Sequence, residues 1–118
     1  MSEPSVSVII PVYNRAALLR RAVDSVLAQS MPDFELIIVD DASTDDSLDV
    51  ARALSESDRR IVVVENRGPH GPGAARNAGL ARARAAWIAF LDSDDVWMPD
   101  TLARYLEVVA GDVALIGG

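Results

Sequence analysis

The sequence predicts an α/β fold in which a mostly parallel sheet is flanked by helices. Three observations carry that prediction. Short β-branched runs alternate with helical stretches along the whole 118 residues. The connections between them are short, as in β-α-β units with right-handed crossovers. The opening β-branched run suits a strand buried on both faces.

Ser5 to Val12 (Ser-Val-Ser-Val-Ile-Ile-Pro-Val) reads as the first strand, with Pro11 ending its ladder pairing. Asn14 is a good N-cap for the first helix. Leu18, Leu19, Ala22, Val23, Val26 and Leu27 then recur at helical spacing, until Met31-Pro32-Asp33 closes the helix. Phe34 to Val39 is a second strand that ends in Asp40-Asp41. Ser43, with Asp46 three residues on, resembles a capping box for a helix continued by Leu48, Val50, Ala51 and Leu54. Ile61 to Val64 is a third strand. A Gly- and Pro-rich loop from Glu65 to Gly73 comes next, and Pro72 fits the first turn of an Ala- and Arg-rich helix from Ala74 to Arg84. Trp87 to Leu91 has the content of a buried, central strand. Pro99 opens another helix with Leu102, Tyr105, Leu106 and Val109 on its apolar face and Gly111 ending it. Val113 to Ile116 reads as one more strand.

Composition narrows the function. The length allows one domain at most. A net charge of −7 argues against a nucleic-acid surface. The absence of cysteine excludes disulfides and thiolate metal sites. All eleven basic residues are Arg, which removes a P-loop lysine and a Schiff-base lysine together. No stretch reaches the roughly 20 apolar residues of a membrane span. Met1-Ser2-Glu3-Pro4 has no basic n-region, so the expectation is a cytoplasmic chain, with membrane association of a longer protein left open.

The chemistry gathers at strand ends. Asp92, Asp94 and Asp95 put three carboxylates within four residues after the fourth strand. Acids packed this tightly repel one another unless a cation sits among them, which points to a divalent metal at Asp92-Ser93-Asp94. Asp40 and Asp41 lie after the second strand, and Pro11-Val12-Tyr13-Asn14 lies at the end of the first. In a parallel sheet all three groups share one rim, where ligands of α/β folds bind. A nucleoside diphosphate needs such a set: a stacking surface, acceptors for base N–H groups and ribose hydroxyls, and a cation for the pyrophosphate. Mg²⁺ and Mn²⁺ favour these oxygen ligands. Tyr13 serves either stacking or core packing. Arg76 either binds phosphate or pairs with an acid across the crevice. His70, the only histidine, is given no catalytic role, and Trp97 packs near the rim.

With these residues assembled, the chain resembles the nucleotide-binding half of a family 2, GT-A-type glycosyltransferase. Four segments carry the likeness: Ser7 to Asn14, Ile38 to Asp45, Gly71 to Leu80, and the D-x-D segment Phe90 to Asp95. Ala85 stands where many members have Gly. The resemblance implies a Rossmann-like, GT-A-type sheet spanning residues 1–118 as one donor-binding unit, the N-terminal part of a longer enzyme. It implies that Pro11 and Tyr13 line the base pocket, Asp41 accepts from a uracil-like base and Arg76 lies near the phosphates. Asp92 would contact ribose or metal, and Asp94 would ligate Mn²⁺ or Mg²⁺. The implied reaction transfers a sugar, with inversion, from a nucleoside-diphosphate sugar (UDP-linked favoured) to a saccharide, lipid or other hydroxyl acceptor. Members carry the catalytic base beyond the D-x-D segment. Asp100 and Asp112 lie too early for that role, so none is assigned.

Two other classes remain in view. A sugar-phosphate nucleotidyltransferase also pairs metal with nucleotide, but it places a Gly-rich loop after the first strand, where this chain has Pro11-Val12-Tyr13-Asn14-Arg15. A non-catalytic nucleotide-binding or assembly module needs no base at all. Apolar surface left open by a missing half predicts a homo-oligomer.

Overall fold

The computed structural model describes residues 4–111. Eight elements succeed one another in strict alternation: β1 (Val6–Val12), α1 (Ala16–Leu27), β2 (Phe34–Asp40), α2 (Ser47–Ser57), β3 (Ile61–Glu65), α3 (Pro72–Arg82), β4 (Trp87–Phe90) and α4 (Thr101–Gly111). The described strands form one parallel sheet in the order β3-β2-β1-β4. The α/β fold and the parallel sheet are therefore as the sequence predicts. The expected strand at Val113 to Ile116 lies outside the described residues.

Side-chain alternation sorts the core into two layers. Val6, Val8, Ile10 and Val12 of β1, with Leu36 and Ile38 of β2, meet Leu19, Ala22, Val23 and Val26 of α1 and Leu102 of α4. Ile9, Ile37 and Val39 point the other way, against Ala75 of α3. This second layer is thin because α3 presents small residues to the sheet. A Cβ added at Gly79 would stand 2.6 Å from Ile9 Cγ2 and 3.1 Å from Val39 Cγ2. Gly79 therefore sets how closely α3 lies on β1 and β2, and Arg76, one turn earlier, is held near the strand ends as a result.

Pro11 shapes the crevice. The Ile9 carbonyl accepts from Leu91 N–H on the β4 side, and the Val12 carbonyl accepts from Asp41 N–H on the β2 side. Alternation along a parallel strand then puts the Pro11 nitrogen on the β4 side, where proline has nothing to donate. Pairing with β2 runs on to Val12↔Asp40, whereas pairing with β4 stops at Ile9↔Phe90. The two strands part at their carboxyl ends.

Three local expectations are corrected. Trp87 to Leu91 is neither central nor fully buried: among the described residues β4 is an edge strand, and Phe90 is 43% exposed. Asn14 does not cap α1. It sits at φ 52°, and Arg15 occupies the cap position without a side-chain bond. Ser43 and Asp46 do not form a capping box, since Asp46 is the cap residue and makes no side-chain cap bond. Instead the two loops cap each other. Ser43 Oγ accepts from Asn14 N–H and Ser47 Oγ from Arg15 N–H, each at 3.0 Å. In return Asn14 Oδ1 accepts from Thr44 N–H at 2.7 Å and Asp45 N–H at 3.2 Å. The Ser43 hydroxyl, which reads as a local cap, acts across the rim, because the β1–α1 and β2–α2 turns lie side by side.

Candidate functional site

A cavity of about 960 Å³ opens at the carboxyl rim, between the ends of β1, β2 and β4 and the start of α3. That size suits a small ligand. Its wall takes Pro11, Val12, Tyr13 and Asn14 from the first turn, Asp41 from the second, Arg76 from α3, and Asp92, Ser93 and Asp94 from the turn after β4. The structure thus brings together all but one of the site residues expected from sequence.

The exception is Asp40. It is 3% exposed and does not line the cavity. Its position in β2 has the parity of Leu36 and Ile38, so it faces the α1 side of the sheet rather than the α3 side. Asp40 Oδ2 accepts from Ser43 N–H at 3.2 Å, and Oδ1 is buried without a partner among the described residues. Asp40 shapes the β2–α2 turn from beneath, and Asp41 alone reaches the ligand space.

Asp41 is the best-defined group of the site. Oδ1 accepts from Asn66 Nδ2 at 2.9 Å and faces His70 Nδ1 at 2.8 Å, while Oδ2 accepts from Gly71 N–H at 2.8 Å. Burial alone would raise its pKa. The bonds from Gly71, His70 and Asn66 outweigh that and hold the carboxyl below its ordinary value. The carboxylate accepts only, so His70 Nδ1 carries the proton of that bond. Each carboxylate oxygen has two lone pairs, which leaves one acceptor position, on Oδ2. Nothing in the sequence ties His70 and Asn66 to Asp41. The signals there are the Gly- and Pro-rich loop from Glu65 to Gly73 and, for Gly71, its place at the head of the segment Gly71 to Leu80.

Gly71 also explains its own identity. At φ 121° it occupies a region that residues with a Cβ rarely enter, and this turns its N–H onto Asp41. Ala42 lines the same cavity at φ 60°, and Asn14 at φ 52°. Asparagine tolerates that left-handed conformation; alanine is strained by about 1 kcal/mol there.

Tyr13 is 55% exposed on the cavity wall, which decides between core packing and an available ring in favour of the ring. Arg76 resolves differently. Its Nη2 stands 3.5 Å from Asp92 Oδ1, with the Arg76 side chain half-buried and Asp92 exposed. Such a partly exposed pair contributes little and exchanges readily for a better partner. Asp94 has no ion-pair partner among the described residues. Asp92 and Asp94 flank the buried Ser93, and their donors are all oxygen, as hard divalent cations prefer. Among the described residues no cluster of three or more potential metal ligands forms. A cation at this turn would therefore draw the rest of its coordination from water or ligand phosphates, a mode that suits Mg²⁺ and Mn²⁺. Trp97 packs against the α1 core beside this turn, and its backbone N–H donates to Ser25 Oγ at 3.1 Å.

Known proteins match the same architecture. The description "Glycosyl transferase family 2" matches residues 7–118. The chain belongs to glycosyltransferase family 2. Among relatives of this family, a Bacillus subtilis (strain 168) glycosyltransferase, TuaG, named for teichuronic acid biosynthesis, is 47% identical over 105 residues, covering 89% of this chain and 42% of its own. Among solved structures, the mannosyltransferase PcManGT of Pyrobaculum calidifontis, in complex with GDP-Man and Mn²⁺, superposes with a TM-score of 0.84 at 31% identity. It covers 93% of this chain and 33% of its own. TarS 1-349 of S. aureus in complex with UDP gives a TM-score of 0.81 at 30% identity over 91% of this chain and 32% of its own. TarS is also solved with UDP-GlcNAc. The chain thus spans 42% of the Bacillus relative and about a third of the two solved structures, and their GT-A fold is the one described above.

Proposed function

We propose that this chain is the donor-binding part, residues 1–118, of a longer inverting glycosyltransferase. It would hold a nucleoside-diphosphate sugar, UDP-linked in preference, for transfer to an acceptor hydroxyl on a saccharide, lipid or other molecule. One observation carries the reading. A single rim cavity gathers an exposed aromatic ring, a buried carboxylate with one acceptor position left, an arginine and two carboxylates one residue apart.

Each feature meets one part of such a donor. Tyr13 offers its face to the base, and Asp41 Oδ2 accepts a base N–H. A uracil-type base presents that N–H, and the UDP complex of the staphylococcal neighbour supports the preference. Arg76 turns from Asp92 to the diphosphate, exchanging an exposed partner for a bidentate one. Asp92 and Asp94 would hold Mn²⁺ or Mg²⁺, and the Mn²⁺ of the mannosyltransferase complex supports this assignment. When bound, the ion supplies charge neutralisation for the departing diphosphate. In the reaction the acceptor oxygen bonds to the anomeric carbon as the bond to the diphosphate oxygen breaks on the opposite face. The hydroxyl proton passes to a base that this reading puts beyond residue 118.

Calorimetric titration with UDP, with and without Mn²⁺, tests the proposal on this chain and on Asp94→Ala. Metal-dependent binding that Asp94→Ala abolishes is the expected result. A folded chain that binds neither UDP, GDP nor dTDP would remove the reading.

A further inference from the structure

We infer that His70 is a positioning residue for the donor's nucleobase, an assignment that rests on the donor-site reading above. The three groups that hold Asp41 are not equivalent. Asn66 belongs to the loop's own fold: its backbone N–H donates to the Asp40 carbonyl at 2.8 Å and its amide also donates to the Pro69 carbonyl at 2.9 Å. Gly71 is fixed by its place at the start of α3. His70 has neither constraint. Its side chain is 53% exposed on the cavity wall, and its only hydrogen bond among the described residues is the one to Asp41 Oδ1.

An imidazole so exposed adds little packing. Its effect is on the carboxylate. Together with Asn66 it fills both lone pairs of Oδ1, so an incoming N–H meets one acceptor, Oδ2, in one orientation. Without His70 a second acceptor position opens on Oδ1 and the carboxylate loses one of the bonds that fix its plane. The base contact would then be spread over two orientations, and part of its directionality would be lost. Nδ1 is the atom in contact, and an asparagine amide can present its N–H near the same point. Alanine cannot.

The test is calorimetric titration of the full chain, His70→Ala and His70→Asn, each with UDP plus Mn²⁺ and separately with inorganic pyrophosphate plus Mn²⁺, a probe that has no base. Far-UV circular dichroism checks that each variant is folded. His70→Ala should weaken UDP roughly tenfold, the size of one charge-assisted hydrogen bond, and leave pyrophosphate unchanged. His70→Asn should return UDP to within about threefold of the parent. Equal UDP affinity in His70→Ala would overturn the inference. So would a parallel loss of UDP and pyrophosphate, or a failure of His70→Asn to restore binding. A folded parent that binds pyrophosphate but no nucleoside diphosphate more tightly would instead remove the donor-site reading, and this inference with it.

Discussion

Two buried carboxylates, one at each end of β2, are held in nearly the same way and serve different ends. Glu35, near the strand's start, is 2% exposed. Its Oε2 accepts from Ser7 Oγ and from Arg84 N–H, and its Oε1 accepts from Arg84 Nε at 3.1 Å. Ser7 Oγ in turn accepts from Ala85 N–H at 3.0 Å. Asp41, one residue past the strand's end, likewise has two donors on one oxygen and one on the other. Both carboxyls are pushed up by burial and pulled further down by these bonds. What differs is what surrounds them. Glu35 is bonded to β1 and to the turn before β4 and does not line the cavity, so the acid works as a clamp on the floor of the sheet. Asp41 lines the cavity and has an acceptor position left for it. All the positive-φ residues of the described chain, Asn14, Ala42 and Gly71, also line the cavity, and none lies near Glu35. The number of hydrogen bonds alone does not separate a structural acid from a functional one; the place on the cavity wall and the strained backbone around it do.

The comparison breaks if the two acids respond alike to truncation. Glu35→Ala leaves Ser7 Oγ and the Arg84 N–H without their acceptor at the sheet floor, while the Arg84 guanidinium is half exposed and turns to water. It should cost about 2 kcal/mol of stability in chemical denaturation. UDP affinity of the fraction that remains folded should stay within about threefold of the parent. Asp41→Ala should do the reverse. Its neighbours reach water through the cavity, so stability should fall by only about 1 kcal/mol. UDP binding should weaken roughly 100-fold by calorimetry, since the charged acceptor for the base is gone. A Glu35 variant that loses UDP while keeping its stability would show that the floor, not the rim, controls the ligand.

Acid titration sharpens the same contrast. Both carboxyls are depressed in the folded state, so each contributes stability above its ordinary pKa, 4.5 for Glu35 and 3.8 for Asp41. That contribution is lost as pH falls through the lower, folded value. Stability should therefore decline below about pH 4.5, and Glu35→Gln should flatten the decline in urea titrations taken across that range. Asp41→Asn should flatten only its lower end. An unchanged acid limb in Glu35→Gln would mean that other carboxylates govern it.

The strands and helices were legible because each is built from local pattern: β-branched runs for β1 to β3, and a 3.6-residue stripe for α1. The family was legible because its segments lie at strand ends, where a parallel sheet brings them together whatever the register. What failed was knowledge of neighbours. Nothing in Asp40-Asp41 says which acid faces α1 and which faces the cavity; one residue of strand parity decides it. The hydroxyl of Ser43 reads as a local cap, yet it bonds across to the first turn, as that of Ser47 does. His70 looked idle in a Gly- and Pro-rich loop, because a bond across 29 residues has no local signature. The clamp at Glu35 has no local signature for the same reason, since its partners lie 28 and 49 residues away.

The smallest expected effect concerns strain, and it separates rim from floor most finely. Ala42 sits at φ 60° without the polar side chain that would help it there. Ala42→Gly removes a penalty of about 1 kcal/mol in the folded chain but gives the unfolded chain more freedom, worth roughly 0.5 kcal/mol. The net gain should be about 0.5 kcal/mol by denaturation, with UDP affinity changed less than about twofold. That outcome would assign the strain to the turn, where the carbonyl of Val12 binds Asp41 N–H and leaves the next residue little choice of conformation. A stabilised variant that binds UDP tenfold more weakly would assign it to the ligand instead: the strained residue would then be holding Asp41 in its binding orientation, and relaxing it would release the acceptor along with the strain.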